Sequence, residues 1–550
     1  MSEAAPTTAR EPSEKRGPVL EVLRELLTER RDEDVLALVS KLLSQNTELQ
    51  RRLMRMLSGG RKNEGVSTAQ LRLLLDALAA TGTDTSDEDA PDLGDANAKL
   101  RGASGIDDAA AKPAKQPPLR KPPGAQLPRV DNVITVPAAD RPCPACGAER
   151  TCIGHDVTEV IELEPARVIV RVDRREKLGC QPCDGQLVRA PVGDKVVSGG
   201  RLGSTLVAAL VVDKYDDGLP LHRQKRRFER MGVDLAVSTL ADQVTWATDL
   251  MRPLWRLAIN QVLTSIVMHL DATGLPVLDR DAPGGKRLGA LWGYVGNEDV
   301  AAYIYTSTGK KSGQRPDELG PEDMLAQRMG YTVADASNLF DSSFERPELI
   351  ECGCNMHGRR YWTKALDAGD TRAALPIAAY KKLYEIEAKI RGLARDDKRA
   401  VRQAESKPVF DELVAWTKAY KAHEPPASGL GAAIRYMTNH QEALGRFIED
   451  GAIPIDNGIV ERLHVRAALT RKNYLFAGSD TGGERAAIAY TILGCCRLVG
   501  VNPVEYLTDV LPRLARGLRL RDVPGMLPAA WKAARQAAVA IAEPVPPPVN

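Results

Sequence analysis

The run SIVMHLDAT at residues 265–273 is short and rich in apolar and β-branched residues, and it places Asp271 immediately after an apolar strand. Two further strand-like runs follow at residues 287–295 and 300–306, and the turn sequence Gly-Asn-Glu-Asp between them predicts a hairpin. Helices and strands then alternate: a helix near residues 315–327, strands at 330–334 and 348–353, and a helix at 356–367. This order predicts a mixed α/β layer.

Three acidic residues accompany these elements. Asp271 and Asp335 each follow a strand, and carboxylates at neighbouring strand ends can share a hard divalent cation through their oxygen atoms. Farther along, the segment IPIDNGIVERLHVR places Asn457, Glu461 and His464 on one polar stripe of a helix. On that stripe Glu461 can face the two aspartates and complete a two-metal site. Strands closely followed by acidic residues, in this order, indicate a fold of ribonuclease H type.

Composition limits the other possibilities. The length of 550 residues suggests three or four domains at about 150 residues each. The net charge is 75 − 73 = +2, so any nucleic-acid surface must be a local patch. The longest apolar runs, at residues 206–212 and 486–496, are far shorter than the roughly 18–20 residues of a membrane span, and the polar start has no secretory signal. We expect a soluble, cytoplasmic, multidomain protein without a membrane partner.

Four of the nine cysteines form two Cys-x-x-Cys pairs, Cys143 with Cys146 and Cys180 with Cys183. Each pair brings two thiolates to one ion, and four thiolates complete the tetrahedron that structural zinc prefers. A pair of redox thiols is the alternative, but the βαβ context expected for it is missing. We therefore predict one structural Zn²⁺ in a β-rich unit at residues 141–192.

The N-terminal region carries a heptad pattern within a predicted helix at residues 19–58. Apolar residues recur every seven positions, at Val35, Leu42, Leu49 and Met56. In the second row of the heptad, Asn46 is a polar residue within an apolar seam, an arrangement that fixes register and favours a parallel pair. We favour self-association, the alternative being an amphipathic helix packed on its own domain.

A second helical region has a basic face. The segment LHRQKRRFERM at residues 221–231 ends at Gly232, and Ser238 is expected to cap a second helix at residues 239–250. Helix, glycine turn and helix is the pattern of a helix-turn-helix, although many helical hairpins share it. Three of its cations are candidates for contact with DNA phosphates: Arg223, Arg226 and Arg227.

Taken along the chain, these patterns predict eight segments. They are a zipper-like helical region (19–80), a disordered linker (81–130), a zinc-binding domain (131–195), a helix-turn-helix-like region (196–262), the first part of a catalytic domain (263–368), a helical insertion (369–450), the second part of the catalytic domain (451–500) and a C-terminal helical tail (501–550). The linker is assigned because its acidic and Pro/Lys-rich halves cannot bury enough apolar surface to offset chain entropy.

Five motifs occur in one order and carry a family resemblance. They are DATG at 271–274, Asp335 at a strand end, CNMHGRR at 354–360, the pairs Asp456-Asn457 and Glu461-Arg462, and RKNYLFAGSDTGGER at 471–485. Together they resemble the transposases of insertion sequence 66, which are TnpC-type proteins with a DDE catalytic domain. The last motif is the most specific, because no composition effect would produce it.

The resemblance implies a function and a site. It implies a DDE transposase that cleaves and transfers strands of double-stranded transposon and target DNA in the bacterial cytoplasm, at the nucleoid. Asp271, Asp335 and Glu461 would hold two Mg²⁺ ions. Transposition must bring two DNA ends together, so at least a dimer is expected, and accessory proteins of the same element are implied. The alternative is a domesticated or inactive DNA-binding protein derived from such a transposase.

The sequence departs from the family pattern at three places: Ala272, Ala336-Ser337 and Asn355. The second of these leaves Asp341 as a rival to Asp335 for the second carboxylate.

Further side chains are candidates for contact with DNA. They are His357, Arg359 and Arg360, near the scissile phosphate, and Arg466, Arg471 and Lys472, beside Glu461. Cys352, Cys354 and His357 are compatible with another metal site, but two thiols buried in a strand are the simpler interpretation. Gly482-Gly483 is expected to be a loop before an apolar helix at residues 485–498.

Overall fold

The computed structural model describes residues 66–80, 93–107, 168–174, 176–178, 188–189, 196, 200–309, 318–335 and 339–542. A five-stranded mixed sheet lies at the centre of the described part. Its strands are β3 (Val267–Leu278), β4 (Lys286–Gly296), β5 (Val300–Thr306), β6 (Gly330–Ala334) and β7 (Leu349–Gly353). A small antiparallel pair, β1 (Lys177–Leu178) and β2 (Val188–Arg189), lies outside it.

The strand order in the sheet is β5-β4-β3-β6-β7. β3, β4 and β5 pair antiparallel, whereas β6 pairs parallel with both β3 and β7. The predicted strands at residues 300–306 and 330–334 coincide with β5 and β6, and the turn between β4 and β5 places Asn297 and Glu298 at positive φ, as a tight hairpin requires. β3 therefore lies in the middle, between an antiparallel hairpin and a parallel pair.

The helices surround this sheet. They are α1 (Thr68–Ala80), α2 (Leu93–Ser104), α3 (Ser204–Tyr215), α4 (Leu221–Arg230), α5 (Val237–Leu250), α6 (Arg252–Thr264), α7 (Pro321–Gln327), α8 (Asp341–Phe344), α9 (Asn355–Asp367), α10 (Ala374–Lys389), α11 (Arg395–Val401), α12 (Lys407–Lys421), α13 (Gly429–Gly445), α14 (Gly458–Tyr474), α15 (Asp480–Leu498), α16 (Pro503–Ala515) and α17 (Pro528–Ala542). None of the helices in the described ranges combines the length and the apolar character needed to cross a membrane.

Two apolar cores hold these elements. The first joins β3, β4 and β5 to helices before and after the sheet, and it includes Leu254, Leu270 and Ile492. The second joins α9 to the helices α10, α12 and α13 of the predicted insertion and includes Trp362 and Leu413. α14 contributes to the first core and α9 to the second, so the border between the cores lies where these two helices meet β3 and β6.

The prediction of a disordered linker over residues 81–130 is wrong for residues 93–107. α2 lies in this range and packs against the helical insertion through Leu100, which is 0% exposed. The side-chain carbonyl of Asn97 accepts hydrogen bonds from Trp416 Nε1 at 2.7 Å and from the Tyr420 hydroxyl at 2.9 Å. These contacts come from residues more than 300 positions away, so local composition could not reveal them.

Three local expectations are also wrong. β3 continues to Leu278, so Asp271 is its fifth residue and does not follow its end. α5 begins at Val237, and Ser238 therefore lies inside its first turn and does not cap it. Gly482 and Gly483 belong to the first turn of α15, where a Cβ atom on Gly483 would lie 2.6 Å from the Tyr305 ring. Glycine is required in that position because the helix packs so closely on the strand that a side chain would not fit.

Two predictions fall outside the described residues. The heptads of residues 19–58 and the four cysteines Cys143, Cys146, Cys180 and Cys183 are not among them. The zipper and the thiolate zinc site therefore stay predictions from the sequence.

Candidate metal centre and DNA interface

The parallel register of β3 and β6 brings Asp271 and Asp335 to the same level of the sheet. His269 pairs with Val333, and each aspartate lies two residues farther along its own chain segment. Side chains two residues apart in a strand face the same side. The pairing of β3 with β6 stops at His269 and Val333, and β6 ends at Ala334, one residue before Asp335.

α14 carries Glu461 to the same place. The helix packs closely on the sheet because residue 293 of β4, the partner of Asp271, is glycine. A Cβ atom there would lie 2.7 Å from Cε1 of His464, one helical turn beyond Glu461. His464 Nε2 lies 3.7 Å from Oδ2 of Asp271, which places this face of α14 directly against the carboxylate.

A buried amide fixes the beginning of α14 on β3. Asn457 is 0% exposed, and its Nδ2 donates to the Leu270 carbonyl at 2.7 Å. Its Oδ1 lies 3.0 Å from Nδ1 of the buried His269, a hydrogen bond between side chains 188 residues apart. The neighbouring Asp456 accepts from Gly458 N at 2.8 Å and from the Tyr384 hydroxyl at 2.9 Å. Glu461 is therefore positioned by both the sheet and the helical insertion.

The carboxylates lack enough nearby positive charge to keep their pKa values in the ordinary range. Burial raises the pKa of Asp271 to about 7, and the charges of Asp335 and Glu461 add to the increase. Burial likewise raises the pKa of Glu461, while the nearby Arg360 opposes the shift in both groups. Burial lowers the pKa of His464 to about 4, so this imidazole is neutral at pH 7 and does not offset the charge of Asp271.

The beginning of α9 lies against Glu461. His357 Nδ1 is 3.6 Å from Glu461 Oε1. Cys354, at the N-cap of α9, places its Sγ within 4.8 Å of a ring nitrogen of His357 and a carboxylate oxygen of Glu461. Cys354 Sγ accepts a hydrogen bond from Asn457 N at 3.3 Å, and burial raises the pKa of this thiol to about 12. Asn355, one of the departures from the family pattern, is buried and donates to the carbonyls of Leu444 and Ile455.

The cations predicted to contact DNA fall into two groups. Arg227 forms an ion pair with Asp213, and Arg471 donates to the Thr273 hydroxyl at 2.9 Å and to the Gly274 carbonyl, so both hold the protein together. The exposed group consists of Arg223, Arg226, Arg466 and Lys472, of which Arg466 also lies 3.9 Å from an oxygen of Asp216. Arg223 Nη1 lies 3.4 Å from Asn473 Oδ1 and thereby connects α4 to the end of α14.

The motif at residues 471–485 mainly braces the sheet. Ala477 pairs with the end of β3, donating to the Pro276 carbonyl and accepting from Leu278 N. Asp480 accepts from the Tyr305 hydroxyl at 2.6 Å and pairs with Arg287, which connects α15 to β5 and β4. Arg485 pairs with Asp249 of α5 at 3.1 Å. The most specific part of the sequence thus joins α14, α15 and the helical hairpin to the strand that carries Asp271.

The interpretation of the sequence missed several partners of the carboxylates. His269 was not singled out, although its spacing from Asp271 puts both on one face of β3. No local sequence pattern indicated Tyr384, because its contact with Asp456 spans 72 residues. Cys354 was interpreted as one of two buried strand thiols. Both thiols are buried, but of these two only Cys354 belongs to the group formed with His357 and Glu461.

Comparison with known proteins agrees with this architecture. Residues 199–485 match the family model described as "Transposase IS66 family", and residues 140–184 match "zinc-finger binding domain of transposase IS66". These matches place the protein, which has a mixed sheet domain with many helices, in the class of transposases. The first match covers more than half of the chain, and the chain belongs to the IS66 transposase family.

Similar proteins occur in Sinorhizobium fredii (strain NBRC 101917 / NGR234). The uncharacterized protein y4hP is 32% identical over 499 residues, which cover 86% of this chain and 86% of that protein. The uncharacterized protein y4qI is 31% identical over 433 residues, covering 76% and 78%. The likeness thus extends well beyond the sheet domain.

Proposed function

We propose that this protein is an active DDE transposase, which binds transposon-end DNA and catalyses metal-dependent strand cleavage and strand transfer by in-line displacement at phosphorus. The observation that carries the proposal is the convergence of Asp271, Asp335 and Glu461 from two strands and one helix. Burial raises the pKa of Asp271 to about 7, and the negative charges of Asp335 and Glu461 contribute to the increase. Such a group of carboxylates is costly for a protein unless it binds cations.

The sheet supports a catalytic domain of ribonuclease H type. An antiparallel hairpin on one side of β3 and two parallel strands on the other give the order expected from the sequence pattern. The central strand then carries the first carboxylate, the neighbouring parallel strand leads to the second, and α14 brings the third. Within this arrangement α10–α13 form an insertion between the second and third carboxylates.

The residues present fit two Mg²⁺ ions. All three ligand side chains offer carboxylate oxygens, the donors that Mg²⁺ prefers, and Glu461 Oε1 is buried without a hydrogen-bond partner among the described residues. Asp271, Asp335 and Glu461 would hold the ions, and bound Mg²⁺ supplies activation of the attacking oxygen and neutralisation of the leaving oxygen. The protein contributes geometry: Asn457 fixes α14 on β3, and neutral His464 packs beside Asp271 without competing for it.

Asp335 suits the second position better than Asp341. The charge of Asp335 raises the pKa of both Asp271 and Glu461. Asp341 is exposed at the start of α8, and its charge acts on Glu351 and His440 instead. We therefore assign the second carboxylate to Asp335.

The DNA path that we propose follows the exposed side of α14. Arg466 and Lys472 lie on this side beyond Glu461, and Arg223 and Arg226 of α4 continue the basic surface where α4 meets Asn473. His357, Arg359 and Arg360 of α9 lie on the other side of Glu461, near the scissile phosphate. Neutralised phosphates release counterions, so binding through these cations weakens as salt rises.

The deciding experiment is a Mg²⁺-dependent cleavage assay on double-stranded DNA that carries the ends of the element encoding this chain. Asp271→Asn, Asp335→Asn and Glu461→Gln are each expected to lose cleavage by at least about 10³-fold, as happens when one member of a cooperating catalytic set is removed. End binding, followed by fluorescence anisotropy, should be retained. Asp341→Asn is the matched control and should cleave like the wild type.

Two outcomes would contradict the proposal. Wild-type protein that binds the ends with any divalent cation but never cleaves them would support the inactive DNA-binding alternative. Loss of cleavage in Asp341→Asn, with activity kept in Asp335→Asn, would move the second carboxylate to Asp341.

We further propose one structural Zn²⁺ on Cys143, Cys146, Cys180 and Cys183, because all four thiols fall within the matched zinc-finger segment. We also propose a homo-oligomer, at least a dimer, whose chains pair through the heptads of residues 19–58. Such an oligomer would hold two DNA ends in one assembly. Deleting residues 1–60 removes the heptads and keeps α1 and everything after it. The oligomer formed by the shortened protein should therefore contain fewer chains, as measured by light scattering. An unchanged mass would contradict pairing through the heptads.

A further inference from the structure

The thiol, imidazole and carboxylate where α9 meets α14 have no role in the proposed chemistry as a group. Sγ of Cys354, a ring nitrogen of His357 and a carboxylate oxygen of Glu461 all lie within 4.8 Å of one another. His357 Nδ1 and Glu461 Oε1 are buried without a hydrogen-bond partner among the described residues. Buried polar atoms that lack partners are rare, and an ion is one of the explanations for them.

The distances suit ligands of one tetrahedral ion. Nδ1 of His357 and Oε1 of Glu461 are 3.6 Å apart, which is too long for a hydrogen bond. With zinc–ligand bonds of about 2.0–2.2 Å to nitrogen and oxygen, the edge of a tetrahedron is roughly 3.4 Å. The two atoms therefore stand at nearly the separation that a shared Zn²⁺ would impose.

Burial holds the Cys354 thiol protonated in the absence of a metal, but two helix N-termini would stabilise the thiolate that a bound ion requires. The residue occupies the N-cap of α9, where the positive end of the helix dipole favours negative charge. Asn457 N, at the beginning of α14, donates to Sγ at 3.3 Å. Two helix N-termini thus meet at one sulfur atom, and the thiol proton would be released to solvent on metal binding.

We propose that Cys354, His357 and Glu461 form a second cation site, separate from the zinc-finger cysteines, which binds Zn²⁺ through sulfur, nitrogen and oxygen. Three protein ligands leave the fourth position open, as in zinc sites that exchange their ion or bind a small ligand. Soft thiolate and imidazole donors select zinc over magnesium at this position. The site shares Glu461 with the proposed magnesium centre.

Because Glu461 is shared, Zn²⁺ and Mg²⁺ compete for it, and the effect of this competition on strand cleavage rests on the proposed function. Zn²⁺ held by Cys354 and His357 takes a carboxylate that the magnesium centre requires, so zinc inhibits strand cleavage in competition with Mg²⁺. Magnesium binds a thiolate poorly, so the two ions favour different parts of the same cluster.

Zinc content is the first test, and it is independent of catalysis. Full-length wild type, Cys354→Ser and Cys352→Ser are loaded with excess Zn²⁺, desalted and analysed for metal. Cys352→Ser is the matched control, because that thiol is also buried but its sulfur lies 3.9 Å from the Ile350 carbonyl and outside the group. Wild type and Cys352→Ser should each hold one more zinc per chain than Cys354→Ser. Equal zinc in all three proteins would overturn the site.

A spectroscopic readout guards against misfolding of the variant. Co²⁺ added to protein whose zinc-finger site is already filled should give thiolate-to-cobalt charge-transfer absorption in wild type and Cys352→Ser. The band should be missing in Cys354→Ser and changed in His357→Ala, while thermal unfolding shows that each variant is folded. A band that persists in Cys354→Ser contradicts the proposal.

Inhibition of cleavage is the second test. The zinc concentration that halves the rate, measured against each protein's own zinc-free rate, should rise at least about tenfold in Cys354→Ser and stay as in wild type in Cys352→Ser. It should also rise with Mg²⁺ concentration. If wild type bound the additional zinc but never cleaved DNA, the proposed function would fail while the zinc site stood. If the zinc concentration that halves the rate were the same in all three proteins, the proposed competition between Zn²⁺ and Mg²⁺ for Glu461 would be wrong.

Discussion

The two faces of β3 differ although they alternate along a single strand. Met268 and Leu270 face the first apolar core and are each 0% exposed. His269 and Asp271 face α14, where one is bonded to Asn457 and the other lies beside His464. A pleated strand sends successive side chains to opposite sides, so one segment can anchor the fold and present the chemistry. In this first half of β3, stability and activity should therefore separate by face, whereas farther along Leu275 and Val277, on the side of Asp271, are also buried in the first core.

The apolar face should carry the largest effect on stability. Leu270→Ala leaves a cavity in the first core and should lower the free energy of unfolding by about 2–5 kcal/mol. Leu278→Ala is the control on the same strand, because Leu278 is 43% exposed and should cost far less. Urea unfolding measures both. Similar losses in the two variants would show that Leu270 does not anchor the core.

The glycine opposite Asp271 should control activity. In Gly293→Ala the added methyl group meets His464 at 2.7 Å, so α14 and Glu461 must shift. A displacement of the order of 1 Å in a catalytic group costs about 10²-fold in rate, and cleavage should fall on that scale. Gly102→Ala in α2 is the control, since nothing lies within 4 Å of its Cβ position. Wild-type cleavage in Gly293→Ala would mean that the position of α14 is not critical.

The amide between the strand and α14 should affect both properties. Asn457→Ala leaves the Leu270 carbonyl and His269 Nδ1 unpaired in a buried position, which should cost about 1–3 kcal/mol in the free energy of unfolding. Cleavage should also fall, because the start of α14 is released. Asn473→Ala, on the exposed end of the same helix, should change stability by less than about 0.5 kcal/mol. Equal stability of the two variants would show that Asn457 does not hold α14 on β3.

The carboxylate on the polar face should destabilise the protein when no cation is bound. Burial raises the pKa of Asp271 in the folded protein to about 7, above the ordinary value of 3.8, so the free energy of unfolding falls as pH rises between these values. In magnesium-free buffer above pH 7, Asp271→Asn should therefore be more stable than wild type by something on the order of 1–2 kcal/mol. The difference should become small below about pH 3, where the wild-type carboxyl is protonated in both the folded and the unfolded state.

Thermal unfolding of the two proteins across this pH range provides the measurement, without chelator so that zinc is retained. Asp341→Asn is the control, because Asp341 is exposed and should show no such pH dependence. A constant difference between Asp271→Asn and wild type at every pH would mean that the charge of Asp271 is not the cause.

Sequence patterns predicted the local elements of the sheet domain well. The strands at residues 300–306 and 330–334 and the helix that bears Glu461 follow from apolar periodicity and turn residues, which act over a few positions. Prediction was weaker at boundaries that depend on distant partners. β3 extends past Asp271 because β4 and Ala477 pair with its second half. α2 forms in a polar segment because Trp416 and Tyr420 bind Asn97.

The sequence alone determined the family resemblance, the order of the motifs and the three carboxylates proposed for catalysis, since these depend on residue type and local spacing. Only the tertiary structure decided that His269 binds Asn457, 188 residues away, and that Cys354 lies beside Glu461 while Cys352 does not. The cause is that strand register and helix packing settle such contacts. They are formed by the whole set of buried surfaces together, and no local pattern specifies them.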